Sequence, residues 1–170
     1  FKAKPDTWVI LSVTFQLPLG TMSAPIAYNE LAAKLKVELG DRVSTSDLQA
    51  AVLELRAGKG MVLDSTDHDT WSVGSFFMNP RVTTAPENAP HWPETDGTVK
   101  VSAAWLIEQS GFNKGFTLNG RAALSSKHTL AITNRGDATS ADISELADHI
   151  VAGVKAKFDI ELKPEATFIN

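Results

Sequence analysis

The sequence predicts an α+β fold. Three observations carry it. Short alternating apolar stretches read as strands, longer stretches with apolar residues every three or four positions read as helices, and the two kinds do not follow a regular βαβ order. From Trp8 to Leu17, Val9, Leu11, Val13, Phe15 and Leu17 point one way, and Ser12, Thr14 and Gln16 the other. That pattern predicts a strand with one buried face, ended by Pro18 and Gly20. Leu31, Leu35 and Leu39 predict a helix over 28–39 closed by Gly40. Ser46 and Gln49 read as a capping box for a helix whose apolar face is Leu48, Ala51, Val52 and Leu55, with Arg56 and Lys59 at its end.

Periodicity disappears between Gly60 and Val73, and a domain boundary is expected there. Residues 74–82 are compact and aromatic. Residues 83–97 hold Pro86, Pro90 and Pro93 and predict a long loop of the kind that is usually functional or mobile. Ser102 should cap a short helix through Ala104, Leu106 and Ile107, ended by Gly111. Residues 128–133 predict a strand. Thr139 or Ser140 should cap the clearest helix, with Ile143, Leu146, Ala147, Ile150, Val151, Val154 and Phe158 on its buried face. A short strand over Ala166–Ile169 is expected to close the chain.

Composition narrows the function. The 170 residues are 43% hydrophobic and 21% charged, with net charge −4 and no cysteine. These are globular values. The acidic balance argues against nucleic acid as a partner. Without cysteine there is no disulfide, thiolate zinc site, iron–sulfur cluster or cysteine nucleophile. No apolar run reaches the roughly 20 residues of a membrane helix, so no membrane association is expected. The chain opens Phe1-Lys2-Ala3-Lys4-Pro5 without Met or a signal peptide pattern, and reads as a cytoplasmic segment of something longer.

Each stretch that could carry chemistry also has a plainer reading. Gly115 and Gly120 have phosphate-loop spacing, but Arg121-Ala122 follows where Lys and Ser/Thr are needed, so both read as turn glycines. Asp64, Asp67, His68 and Asp69 fit no metal-ligand spacing and read as a solvated acidic loop, so no metal is expected. Gly74-Ser75-Phe76-Phe77-Met78-Asn79-Pro80 is the most unusual stretch. Gly74 permits close backbone approach, and Ser75 is not in a nucleophile elbow. On residue chemistry alone it reads as a turn feeding a strand whose Phe residues fill the core. Arg56 and Lys59 complement a helix terminus, or grip a carboxylate or phosphate. Trp92 reads as a core plug or a stacking platform. His128 reads as a structural hydrogen-bonder, and Glu165 as a surface carboxylate.

In order, however, these segments resemble the C-terminal half of the UDP-N-acetylenolpyruvoylglucosamine reductase family, also called UDP-N-acetylmuramate dehydrogenases. The resemblance rests on Arg56-x-x-Lys59, GSFFMNP at 74–80, His91-Trp92-Pro93-Glu94-x-Asp96-Gly97 and Ser102 through Glu108. It continues through Gly111-x-x-Lys114-Gly115, Lys127-His128-x-Leu130 and Asn134-x-Gly136-x-Ala138-Thr139, and ends at Pro164-Glu165-x-x-Phe168-Ile169. The stretch 60–71 resembles the actinobacterial version.

The resemblance implies an enzyme in which NADPH reduces FAD and the flavin passes hydride to the enolpyruvyl group of UDP-N-acetylglucosamine enolpyruvate, for peptidoglycan synthesis. It implies that Ser75 is the proton donor and Glu165 the second catalytic residue. Lys59, Asn79, Trp92, His128 and Gly74 are implied at the substrate and Arg56 at the cofactor. Residues 1–58 should be the C-terminal part of the FAD-binding domain, 59–163 the substrate-binding domain, and 164–170 a return strand. The rest of the flavin-binding half, with a further catalytic Arg and the Tyr of a substrate loop, is expected upstream of Phe1, so FAD should be bound mainly there. The competing reading is an isolated, non-catalytic nucleotide-sugar binding module.

Overall fold

A computed structural model describes residues 7–168. The chain divides into two units, Phe1–Val52 and Leu53–Asn170.

In the first unit, residues 7–20 run as exposed chain with no strand hydrogen bonding. This corrects the strand predicted over Trp8–Leu17. A strand needs a ladder partner, and among the described residues none pairs with this stretch. Its apolar side chains lie open on both faces, with Val9 85%, Leu11 91% and Ile10 57% exposed. Residues 21–26 instead pair back on 40–45. Ser23 N–H donates to the Val43 carbonyl at 2.8 Å, and Ile26 N–H to that of Asp41 at 2.9 Å. Helix α1 (Asn29–Leu35) stops a turn earlier than predicted. Lys36 takes a left-handed conformation there (φ 59°), its N–H bonds back to the Ala32 and Ala33 carbonyls, and Leu39 is left exposed. Helix α2 (Thr45–Gly58) begins in this unit and ends in the next. Its cap is Ser44, whose hydroxyl accepts from Asp47 N–H at 3.0 Å. The predicted capping box at Ser46 and Gln49 is therefore displaced by two residues. The predicted face holds: Ala51 is buried, and Leu48, Val52 and Leu55 are partly buried.

The second unit carries the larger core. Strands β1 (Arg81–Val82), β2 (His91–Pro93) and β3 (Val99–Val101) form an antiparallel sheet in the order β1-β3-β2, pairing Arg81 and Trp92 with Lys100. The predicted loop over 83–97 thus contains a strand. Helix α3 (Ala103–Gln109) is capped by Ser102, whose hydroxyl accepts from Trp105 N–H at 3.3 Å, and Gly111 follows it at φ 92°. Strands β4 (Ala122–Leu124) and β5 (Ile132–Asn134) form an antiparallel hairpin. The first was not foreseen, and the strand predicted over 128–133 begins only at Ile132. Gly115 and Gly120 are turn residues as expected, both at positive φ.

Helix α4 (Ser140–Phe158) packs on β4, β5 and α3. Thr139 caps it in a capping box with Asp142. Leu146, Ala147, Ile150 and Val154 of its predicted face are buried against Leu106, Ile107, Leu124 and Phe77. The last ladder contacts fall at 163–165, where Phe77 bridges Pro164. The strand predicted over Ala166–Ile169 does not form at 166–168, and Ile169 lies outside the described residues.

Candidate active site

Three backbone hydrogen bonds build the site. Phe76 N–H donates to the Leu130 carbonyl at 2.7 Å, Glu165 N–H donates to the Phe76 carbonyl at 2.7 Å, and Met78 N–H donates to the Lys163 carbonyl at 2.9 Å. Segment 75–78 is thereby stitched between 128–131 and 163–165. The buried rings of Phe76 and Phe77 hold it down from the core side, meeting edge-on at 5.1 Å. The plain reading of this stretch, Phe residues filling the core, is correct for the two rings. It also explains why the residue before them is held in place.

Gly74 enters this segment at φ 85°, a conformation that disfavours side chains. No neighbour crowds the position of a Cβ there, so the backbone angle and not space selects glycine. Ser75 then faces an open cleft of about 890 Å³ lined by Arg56, Met61, Val73, Gly74, Ser75, Glu165, Ala166 and Thr167. Ser75 Oγ is 3.4 Å from Nε2 of His128. His128 is half-buried, and burial together with the charges of Lys59 and Lys114 pushes its imidazole below the usual histidine range. A neutral ring beside a hydroxyl, with cations nearby, suits an anionic reactant that takes a proton.

Of the residues singled out from sequence, Ser75, Gly74, Glu165 and Arg56 line one cleft. His128 touches Ser75, and the charge of Lys59 acts on His128. Asn79 and Trp92 are not among the lining residues. The Asn79 side-chain oxygen accepts from Ala103 N–H at 2.9 Å, so this residue ties the segment preceding β1 to the start of α3. Trp92 sits on β2, half exposed, and is no core plug.

The sequence reading missed Lys114 as a neighbour of His128. It also misjudged the acidic loop. Asp64 and Asp67 are outside the core, but Asp69 is buried, with Arg135 3.0 Å from its carboxylate and Ser126 bonded to it twice. Three aspartates within six residues give no sequence signal for which one turns inward. No group of three or more metal-ligating side chains occurs among the described residues, and no helix there is long and apolar enough to cross a membrane.

The sequence is similar to that of known proteins along its whole length. Residues 65–169 match the family described as UDP-N-acetylenolpyruvoylglucosamine reductase, C-terminal domain. Relatives bearing the name UDP-N-acetylenolpyruvoylglucosamine reductase include one from Cutibacterium acnes, 53% identical over all of this chain and 46% of the relative. Another from Salinispora arenicola is 52% identical over 98% of this chain and 50% of the relative. A third from Streptomyces avermitilis is 49% identical over 100% and 51%. The chain spans about half the length of these curated relatives.

Proposed function

The chain belongs to the UDP-N-acetylenolpyruvoylglucosamine reductase family, and from that premise we propose that it is the substrate-binding segment of a cytoplasmic flavoenzyme of peptidoglycan synthesis. The reaction is reduction of UDP-N-acetylglucosamine enolpyruvate to UDP-N-acetylmuramate by NADPH through FAD. The observation that carries the reading is the joint exposure of Ser75 and Glu165 in one cleft, with His128 against Ser75 and Arg56 at the rim.

Among the residues lining the cleft, the Arg56 guanidinium is the cation that would hold the flavin on this side. When bound, the flavin supplies the hydride. Within this chain, Lys59 holds the substrate carboxylate, which gathers charge as the double bond is reduced. Ser75 Oγ–H donates its proton to the carbon opposite the one that receives hydride. Glu165 helps to stabilise or protonate the enol form. A serine hydroxyl is a weak acid toward water, but it is adequate toward so basic a carbon when it is desolvated and aimed. His128 and Gly74 add contacts at the cleft, and the family resemblance adds Asn79 and Trp92, which lie outside its lining, as contacts for the remainder of the substrate.

Residues 1–58 are proposed as the tail of the flavin-binding domain, 59–163 as the substrate-binding domain, and 164–170 as the return. The open apolar alternation of Val9, Leu11, Val13, Phe15 and Leu17 supports this, since it fits a strand whose sheet is supplied by the part of the protein not spanned here.

The test is to purify the full-length protein and follow flavin bleaching by NADPH, then recovery of the yellow form on adding the enolpyruvyl substrate. Recovery with formation of the lactyl product supports the reading. Bleaching without substrate-dependent recovery refutes it and leaves a binding module.

A further inference from the structure

We propose that Asp69 is a positioning residue for proton delivery by Ser75, acting through the turn that carries His128. The proposal rests on the reading of Ser75 as proton donor.

Asp69 is 5% exposed and lies outside the cleft, so the mechanism above does not use it. Its carboxylate accepts from Ser126 N–H at 2.9 Å and from the Ser126 hydroxyl, and it pairs with Arg135 at 3.0 Å. Burial alone would push this carboxyl up. The Ser126 bonds and the Arg135 charge outweigh it and leave the group below its ordinary range, hence ionised. The neighbouring Asp67 grips the same turn from outside, 2.5 Å from the Lys127 ammonium.

That turn is closed on itself. Ser125 N–H donates to the Ala131 carbonyl at 2.8 Å, and the Ser125 hydroxyl accepts from His128 N–H at 3.2 Å. Holding Ser126 therefore holds the backbone of His128. The other end of the arrangement is fixed too. Ser75 follows Asp69 by six residues, and the next N–H, that of Phe76, is bonded to Leu130 of the same turn. The loop that ends in Ser75 is thus tied to the His128 turn at three points, Asp67–Lys127, Asp69–Ser126 and Phe76–Leu130. The 3.4 Å contact between the Ser75 hydroxyl and the imidazole lies between those ties.

Stability is a weak reason for this arrangement, because a buried ion pair often gains nothing over apolar packing. Aim is a stronger one: a displacement of 1 Å at a reacting group can cost about 10²-fold in rate.

The experiment uses the full-length flavin-loaded enzyme and the variants D69N, S126A, S75A and D69N/S75A. Two rates are measured separately: flavin reduction by NADPH, and reoxidation of the reduced enzyme by the enolpyruvyl substrate. Substrate affinity is measured by calorimetry, and the titration of His128 by NMR. D69N is expected to slow reoxidation about 10- to 100-fold, to leave reduction and substrate affinity within twofold, and to shift the His128 titration. D69N/S75A should be no slower than S75A alone. S126A keeps the main-chain bond to Asp69 and should show the same selectivity in milder form, which covers the case in which D69N does not fold. Equal slowing of both steps, an unchanged reoxidation rate, or effects of D69N and S75A that multiply would each overturn the role of Asp69. Wild-type reoxidation in S75A would instead overturn the reading of Ser75 on which the proposal stands.

Discussion

The Ser75 hydroxyl lies 3.4 Å from Nε2 of His128, across fifty-three residues of sequence. The two meet because Phe76 N–H is bonded to the Leu130 carbonyl, which lays one extended segment beside the other. On the other side of Phe76 its carbonyl receives Glu165 N–H, so a single residue of backbone joins the hydroxyl, the imidazole and the carboxylate.

Replacing Ser75 by Ala in the full-length enzyme should separate the two half-reactions. Flavin reduction needs no proton from Ser75 and should stay near wild type. Reoxidation by substrate should fall by about 10²–10⁴-fold, the range for a lost general acid, and Ser75→Cys should recover part of it. Stopped-flow traces of both steps decide. Equal slowing of the two would assign Ser75 to the fold instead.

Lys59→Ala should raise the substrate KM and slow turnover, since a charge-assisted contact contributes about 1.5–3 kcal/mol. Flavin reduction in the absence of substrate should change little. Lys59 also disfavours the charged imidazole of His128, so removing it should move the His128 titration upward. An unmoved titration in NMR spectra would show that the Lys59 charge does not reach the ring.

Asp142 should set the acid limit of this domain. It accepts from the Thr139 hydroxyl and N–H, from Arg121 at 2.6 Å and from Asn119 at 2.7 Å, and these contacts hold its carboxyl far below the ordinary 3.8. A depressed carboxylate contributes stability that is full above its unfolded value and is lost as pH falls toward its folded one. Unfolding curves should therefore show stability declining steadily below about pH 4. Asp142→Asn should lower the neutral plateau and flatten that decline. A decline of the same steepness in the variant would place the acid sensitivity elsewhere.

Two glycines at the end of α2 should respond in opposite directions. A Cβ on Gly60 would sit 2.7 Å from the Asp69 carbonyl oxygen, at φ 69°. Gly60→Ala should therefore lower the melting temperature, the left-handed conformation alone costing about 1–2 kcal/mol. Gly58, still in the helix, has open space at that position. Gly58→Ala should raise stability by up to about 1 kcal/mol. Thermal melts that rank the two variants the other way would contradict the close approach of the loop to Asp69.

The sequence by itself determined the elements that are locally consistent. Helix α4 was legible, because a capping hydroxyl at Thr139 or Ser140 and the apolar spacing from Ile143 to Phe158 specify the same helix. The mixed class, the turns at Gly111, Gly115 and Gly120, and the family resemblance carried by GSFFMNP and its companion motifs were legible in the same way. Only the tertiary structure decided which residues meet. The alternation at 8–17 specifies a strand but cannot supply a partner, so in these described residues it stays open. Strand β4, only three residues long and wholly buried, has no alternation to read. Among Asp64, Asp67 and Asp69, only the fold chose Asp69 for burial, because only there do Ser126 and Arg135 arrive to offset the cost of desolvation. Local pattern is written residue by residue along the chain, whereas burial and charge pairing depend on segments that are far apart in sequence.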